Sequence, residues 1–220
     1  GKVICVDHHI SNHGFGDVQF IEPAASSTSE LIYLLLDDAE LSVSAAKALY
    51  MGIAHDTGVF QYSCTSPDTM RVAAMLMEKG VPHTYILEET YYKKTYRQNQ
   101  VMGKALLESM RLMDGKIIIS VMRKREMDFF GVTTTDLDGI VSQLKLTEGV
   151  EVAIFLYEVG NMEFKVSLRS KEQVDVSKVA SYFGGGGHVR AAGVTMKGTF
   201  HDIINNLTLH IERQMLHQEE

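Results

Sequence analysis

Tryptophan is missing from the 220-residue sequence, proline occurs three times, and there is no repeat or low-complexity tract. Two cysteines, Cys5 and Cys64, stand in segments that read as strand and loop, which excludes a disulfide framework and a cysteine-based zinc site. A reducing, cytosolic home is the default expectation. No apolar run is long enough to span a bilayer, and no basic-then-apolar leader opens the sequence. Positive charge is also scarce: 21 Lys and Arg stand against 28 Asp and Glu, a formal charge of -7. That balance disfavours indiscriminate binding to polyanions, so any nucleic-acid chemistry must be local, through metal ions or a few placed cations. What is present is 45% hydrophobic residues, enough for one large domain or two small ones. The apolar run Val3-Ile4-Cys5-Val6 follows the first two residues at once, as if the sequence began inside a larger fold.

The pattern along the chain is α/β. Residues 2–6 are β-branched and apolar at consecutive positions, which suits a parallel strand buried on both faces and ending in Asp7-His8-His9. Ser27 to Glu30 has capping-box spacing, and Leu31, Leu34 and Leu35 then repeat at helical intervals to about Asp38. A second helix, capped by Ser42 or Ser44, runs to about Ile53 and delivers His55-Asp56-Thr57-Gly58. Ser66-Pro67 opens a third and Gly80 closes it. One or two helices rich in Tyr, Lys and Glu bridge two halves over 83–114. Thereafter residues 116–122 read as a strand, 137–146 as a helix, and 150–159 with 162–169 as a hairpin around Gly160-Asn161. Residues 175–183 are helical, 191–196 a strand, and the tail from Phe200 a helix. The expected organisation is therefore 1–82, a helical linker over 83–114, and an α+β domain with its own sheet over 115–220.

Three segments carry candidate chemistry. Asp7-His8-His9 sits where a strand ends, the edge at which open parallel sheets bind ligands. One imidazole there suits a divalent cation, the carboxylate suits either the cation or the ring it orients, and the second imidazole suits substrate; a solvated strand end is the plain alternative. Asp56, between a helix end and Gly58, is placed to project into a cleft, with Thr57 available to hold it; an Asx turn is the alternative. Nitrogen and oxygen ligands of this kind match Mn²⁺ or Mg²⁺ better than a thiolate zinc site. Third, Gly184 to Gly187 lead into His188 between a helix and a strand, where free backbone N–H groups can meet phosphate or sugar oxygens; a flexible hinge is the alternative. Neither a Walker A loop nor a Rossmann fingerprint fits. Arg169, near the end of a strand, is a planar fork for a phosphate or else a surface cation. His13, His83, His201, His210 and His217 read as surface histidines, and Tyr91, Tyr92 and Tyr96 as packing between the halves.

These segments in this order resemble the DHH phosphoesterase superfamily, named for the triplet at Asp7-His8-His9, and more closely its bacterial oligoribonuclease and 3′-phosphoadenosine-5′-phosphate (pAp) phosphatase branch, the NrnA-type family. The resemblance rests on Ala-Ala-Ser-Ser-Thr-Ser-Glu after the triplet, on Gly52-Ile53 through Asp56-Thr57-Gly58 to Phe60, on Ser167-Leu168-Arg169-Ser170, and on Gly-Gly-Gly-His with Ala-Ala-Gly. It implies the C-terminal part of a parallel-sheet DHH domain, a helical linker and a DHHA1 domain. It implies His8 and Asp56 as manganese ligands, Asp7 in or beside the metal shell as a catalytic residue, and His9 on the scissile phosphate. It also implies a substrate grip made of Arg169, Gly185, Gly186, Gly187 and His188. Two Mn²⁺ ions in the intact family member, with Mg²⁺ or Co²⁺ as substitutes, would activate water for hydrolysis of short RNA or pAp. The family carries an Asp-rich motif and a metal-bridging Asp ahead of the triplet, and neither occurs in these 220 residues. An incomplete, weakly active fragment is therefore expected. A cyclic or linear dinucleotide phosphodiesterase and a non-catalytic binder of nucleotides or RNA ends are the alternatives; a cytoplasmic location and a homodimer are compatible with each.

Overall fold

The computed structural model describes residues 1–9 and 12–216. It divides into two compact units, Gly1–Lys93 and Lys94–Glu220. The first opens with β1 (Ile4–Asp7) and β2 (Val18–Ile21), which pair in parallel from Ile4 opposite Val18 to Asp7 opposite Ile21. α1 (Thr28–Leu35) lies against β1, and Cys5 is buried, but Val3, Ile4 and Val18 are exposed. The first strand is thus not buried on both faces: among the described residues it has one neighbouring strand and a helix on one side only. Ser27 caps α1 by accepting from the Glu30 N–H. The helix stops at Leu35 rather than near Asp38, because Leu36 turns extended and Asp37 starts a short 3₁₀ turn (Asp38–Glu40). Leu31 is buried, whereas Leu34 and Leu35 are exposed.

α2 (Val43–Asp56) is capped by Ser42 and runs three residues beyond the expected end at Ile53, so His55 and Asp56 are its last turn. α3 (Pro67–Glu78) has the expected Ser66 cap, completed into a reciprocal pair by Thr69, and Gly80 follows with φ +91°. α4 (His83–Leu87) runs into a π-helical turn (Glu88–Tyr92). Leu49, Tyr50, Ile53, Val72, Leu76 and Ile86 form the core of this unit.

In the second unit, α5 (Tyr96–Leu107) opens on a Thr95–Gln98 capping box. Then come β3 (Met110–Leu112), β4 (Ile117–Met122), α6 (Lys124–Phe130), a 3₁₀ turn (Thr134–Leu137) and α7 (Ile140–Lys145). The helix expected over 137–146 is broken because Gly139 takes φ +91°. β5 (Val152–Gly160), β6 (Glu163–Ser170), α8 (Val176–Ser181), β7 (Gly186–His188), β8 (Ala191–Lys197) and α9 (Phe200–Leu216) complete the unit. The sheet order is β3-β4-β5-β6-β8-β7, with β4 and β5 parallel and every other pair antiparallel. The β5–β6 hairpin turns one position later than expected, at Asn161-Met162, and carries a bulge between Glu158 and Gly160. Alternate strand residues feed two cores: Ile154, Leu156, Val166 and Leu168 meet α8 and α9, and Ala153, Phe155 and Tyr157 meet α5, α6 and α7. The expected α/β class, with a parallel pair followed by a unit with its own mixed sheet, holds.

Candidate active site

In the first unit, His8 Nε2 lies 3.6 Å from Asp56 Oδ2. The ring's other nitrogen, Nδ1, lies 3.3 Å from the Ala25 carbonyl oxygen. A carbonyl can only accept, so Nδ1 donates its N–H to it, and Nε2 is the ring atom that faces the carboxylate. Two acceptors facing each other at that separation repel unless a proton or a cation lies between them. Typical metal–nitrogen and metal–oxygen bonds are about 2.0–2.2 Å, so one ion can touch both atoms. The donor set fits a divalent cation of the Mn²⁺ or Mg²⁺ kind. It is only part of a ligand set: among the described residues no group of three His, Cys, Asp or Glu side chains gathers to hold an ion.

Asp7 and His9 have a different arrangement. Asp7 Oδ1 accepts from the His8 N–H at 2.7 Å, the His9 N–H at 3.2 Å, His9 Nδ1 at 2.7 Å and the Thr28 hydroxyl at 3.4 Å, and Oδ2 accepts from Asn12 Nδ2 at 2.6 Å. The His9 bond above all, then the Asn12 bond, hold the Asp7 carboxyl well below the usual carboxylate range, outweighing its desolvation. The carboxylate therefore orients the His9 ring, while the Ala25 carbonyl orients that of His8. The two rings meet edge-on at 4.8 Å, and His9 is half exposed.

Sequence reasoning missed the groups that set this geometry. Thr57 does not hold Asp56. Its buried hydroxyl donates to the Ile53 carbonyl at 2.7 Å and accepts from the Phe60 N–H at 3.0 Å, stapling the turn after α2. That turn places Gly58, Val59 and Phe60 at φ +57°, +57° and +63°, a left-handed run in which a β-branched residue is strained. Glu30, buried, accepts from the Ser26 N–H at 3.2 Å, the Ser26 hydroxyl and the Thr69 hydroxyl at 2.9 Å, fixing the segment that carries the Ala25 carbonyl. Its capping-box spacing from Ser27 is the sequence signal that points to Glu30, but the carboxylate turns to Ser26 rather than to the Ser27 N–H. His55 is occupied by the Thr90 hydroxyl at 2.9 Å and by the Tyr91 ring. Tyr92 and Tyr96 are exposed. His13 and His201 are exposed and His83 is half-buried, while His210 stacks on Tyr182; His217 lies outside the described residues.

In the second unit, Arg169 pairs across β6–β5 with Ala153 and across β6–β8 with Ala191, which in turn pairs with His188. Directly opposed residues share a face, so Arg169, Ala191 and His188 form one row, about 10 Å between the outer Cα atoms at ordinary strand spacing. One row on stand Ser167, Gly193 and Gly186. The glycine segment is not the loop expected from sequence: residues 186–188 are an edge strand. A Cβ on Gly185 would fall 2.4 Å from the Gly193 carbonyl oxygen, and one on Gly187 2.4 Å from that of Ala191. Those two glycines permit close approach to β8, whereas a Cβ on Gly186 would meet nothing within 4 Å. Gly186 and Gly193 thus leave a floor without side chains, bordered by Arg169, Ser167 and His188. Arg169 Nη1 donates to the Leu168 carbonyl at 2.9 Å, and Arg190 Nη1 to the Val174 carbonyl at 2.9 Å.

Residues 114–213 match the DHHA1 domain family. The match lies within the second unit, and the Asp-His-His strand end stands ahead of it. It is 30% identical over 200 residues to the bifunctional oligoribonuclease and PAP phosphatase NrnA of Thermus thermophilus, covering 90% of this chain and 60% of the relative. It is 28% identical over 201 residues to the Bacillus subtilis protein of the same name, covering 89% of this chain and 63% of the relative. Its fold matches the crystal structure of an exopolyphosphatase-related protein from Bacteroides fragilis with a TM-score of 0.92 at 26% identity, covering 99% of this chain and 65% of that one. The chain thus spans under two thirds of the length of each of these proteins.

Proposed function

We propose that this chain is part of a Mn²⁺-dependent phosphoesterase that hydrolyses short oligoribonucleotides and pAp in the cytoplasm. The observation that carries the reading is the His8–Asp56 pair at 3.6 Å, with the His8 proton committed to the Ala25 carbonyl. The names of the Thermus thermophilus and Bacillus subtilis relatives support the substrate class. No helix among the described residues is long and apolar enough to cross a membrane.

His8 Nε2 and Asp56 Oδ2 would hold the cation, with Mg²⁺ or Co²⁺ as substitutes. When bound, the ion supplies Lewis acidity that activates water and neutralises charge developing on the phosphoryl oxygens. The chain's own groups do the rest. Asp7 fixes the His9 ring through Nδ1, which aims the other edge of that ring at a phosphate oxygen. In the second unit, Arg169 and His188 donate to a nucleotide phosphate, and the floor at Gly186 and Gly193 lets the ligand lie against backbone. Two ligands make an incomplete set, so these 220 residues alone bind the cation weakly and turn over little.

The test is a Mn²⁺ titration by calorimetry with hydrolysis assays on a dinucleotide and on pAp, comparing wild type, His8→Ala and Arg169→Ala. His8→Ala should abolish the metal signal and lower kcat on every substrate; Arg169→Ala should mainly raise KM. Mn²⁺ binding unchanged by His8→Ala overturns the metal assignment. Nucleotide binding without hydrolysis at any Mn²⁺ concentration makes the chain a binding module instead.

A further inference from the structure

Two backbone irregularities of the first unit converge on the end of α2, which carries Asp56. The left-handed run at Gly58, Val59 and Phe60 begins two residues after Asp56, and the π-helical turn Glu88–Tyr92 sets its Thr90 hydroxyl 2.9 Å from His55 Nε2 and its Tyr91 ring centroid 5.4 Å from that of His55. Irregular backbone of both kinds is concentrated at functional sites. What the run achieves is the return of Tyr62, whose N–H donates to the Thr57 carbonyl at 2.9 Å. A Cβ on Gly58 would fall 2.4 Å from Tyr62 Cζ and 2.6 and 2.7 Å from its Cε1 and Cε2. Near-equal distances to those three atoms put Gly58 against the face of the ring, not its edge. The ring is thus backed by Gly58, and its hydroxyl is hydrogen-bonded to that of Tyr91, yet Tyr62 is 44% exposed. A ring braced from behind with its front in water is ordered before any ligand arrives, so little side-chain freedom is lost on stacking.

We propose that the open face of the Tyr62 ring is a platform for a nucleobase, stacking the base of the nucleotide whose phosphate meets the cation at His8 and Asp56. The inference rests on the phosphoesterase reading of that pair and adds a base subsite to it. Gly58, the support of the ring, stands within about 7.6 Å of the Asp56 Cα, two peptide units away. That is the order of the span from a nucleotide's phosphate to its base. Every base has a flat π-face, so the platform selects nucleotides over phosphate esters without a base and does not choose among the bases. Tyr62 accordingly sets which esters bind, and the groups around the ion set how they react.

The experiment titrates the chain in Mn²⁺ with 2-aminopurine riboside 5′-monophosphate, whose fluorescence falls when its base stacks, and with ribose 5-phosphate, which has the same sugar and phosphate but no base. Calorimetry gives both affinities. Wild type should quench the nucleotide and bind it about tenfold more tightly than the sugar phosphate. Tyr62→Leu should erase the quench and bring the two affinities within about twofold of each other, whereas Tyr62→Phe should keep both the quench and the preference. Gly58→Ala, whose Cβ would meet the ring at 2.4 Å, should displace the platform and act as Tyr62→Leu does, so the test stays decisive where Tyr62→Leu does not fold. Quench and preference unchanged in Tyr62→Leu and Gly58→Ala, or an equal loss of binding for both ligands, overturns the platform while leaving the metal pair standing. Failure of wild type to bind either ligand overturns the phosphoesterase reading, and the platform with it.

Discussion

The two units present polar groups in opposite ways. In the first, the groups that matter are side-chain tips at the ends of elements: His8 and His9 just past β1, Asp56 on the last residue of α2. The two rings are aimed by hydrogen bonds to neighbours, His8 to the Ala25 carbonyl and His9 to the Asp7 carboxylate, and the Ala25 segment is itself held by the Glu30–Ser26 contacts. In the second, the site is a stretch of sheet surface stripped of side chains, with Arg169 and His188 at its border and two glycines needed only so that β7 can reach β8. Tip geometry depends on the network behind it, whereas surface geometry depends on strand register. The first should fail by losing an orienting bond, and the second by gaining an atom.

The sharpest break of that contrast is Gly187→Val. Its Cβ would fall 2.4 Å from a carbonyl oxygen at φ +147°, so urea denaturation should show a loss of about 3 kcal/mol or more, whereas Gly186→Ala, facing open space, should stay within about 0.5 kcal/mol. An equal cost at both positions would sink the assignment of roles among the glycines. Next, Glu30→Ala should cost about 2–3 kcal/mol in the same measurement, because it strands the buried Ser26 and Thr69 donors, and should weaken Mn²⁺ binding as well. Glu30→Gln should restore part of both; a stability loss with unaltered metal affinity would separate Glu30 from the site. Third, Asp56→Asn should reduce Mn²⁺ affinity by about 10–100-fold in calorimetry while leaving binding of a metal-free nucleotide probe unchanged.

The smallest effect is a pH dependence confined to the second unit. Burial pushes the Asp175 carboxyl up, but the Ser177 hydroxyl and the N–H groups of Ser177 and Lys178 at the start of α8 outweigh it, leaving the folded value below the ordinary 3.8. A depressed folded value means stability that is fully present above pH 3.8 and is lost as pH falls through the lower folded value. Asp175→Ala should therefore cost about 1 kcal/mol at neutral pH, and its thermal midpoint should converge with wild type in acid. Parallel curves down to pH 2 would contradict this.

How far the fold was legible follows the range of the interactions. Ser66-Pro67 with Gly80 named α3 to within two residues, because caps act over one turn. The β5–β6 hairpin was legible from its apolar runs and turn residues, though the bulge moved the turn. β2, β3 and α6 were missed: two have three or four residues, and all three lack a long apolar period, so their state is set by neighbours. The left-handed run at Val59 and Phe60 contradicts local preference, and the buried Thr57 hydroxyl holds it together with the bonds from the Val59 N–H to the Ala54 carbonyl and from the Tyr62 N–H to the Thr57 carbonyl. Of the candidate site, the residue types were legible and the resemblance implied His8 and Asp56 on one ion; the groups that orient the two rings, the Ala25 carbonyl and the Glu30 and Asn12 side chains behind them, were not.

Sequence alone thus determined the caps, the apolar periods and the kinds of ligand on offer: an imidazole pair at a strand end, a carboxylate at a helix end, a glycine run before a histidine. Tertiary structure decided that His8 meets Asp56, that a backbone carbonyl at Ala25 accepts from the His8 Nδ1, and that the glycine run is an edge strand rather than a loop. The reason is one of distance along the chain. A cap or a turn is settled by atoms a few residues apart, but bringing a strand end and a helix end within 3.6 Å requires the packing of α1, α2 and α3 around them, a sum of many weak contacts that no short motif encodes.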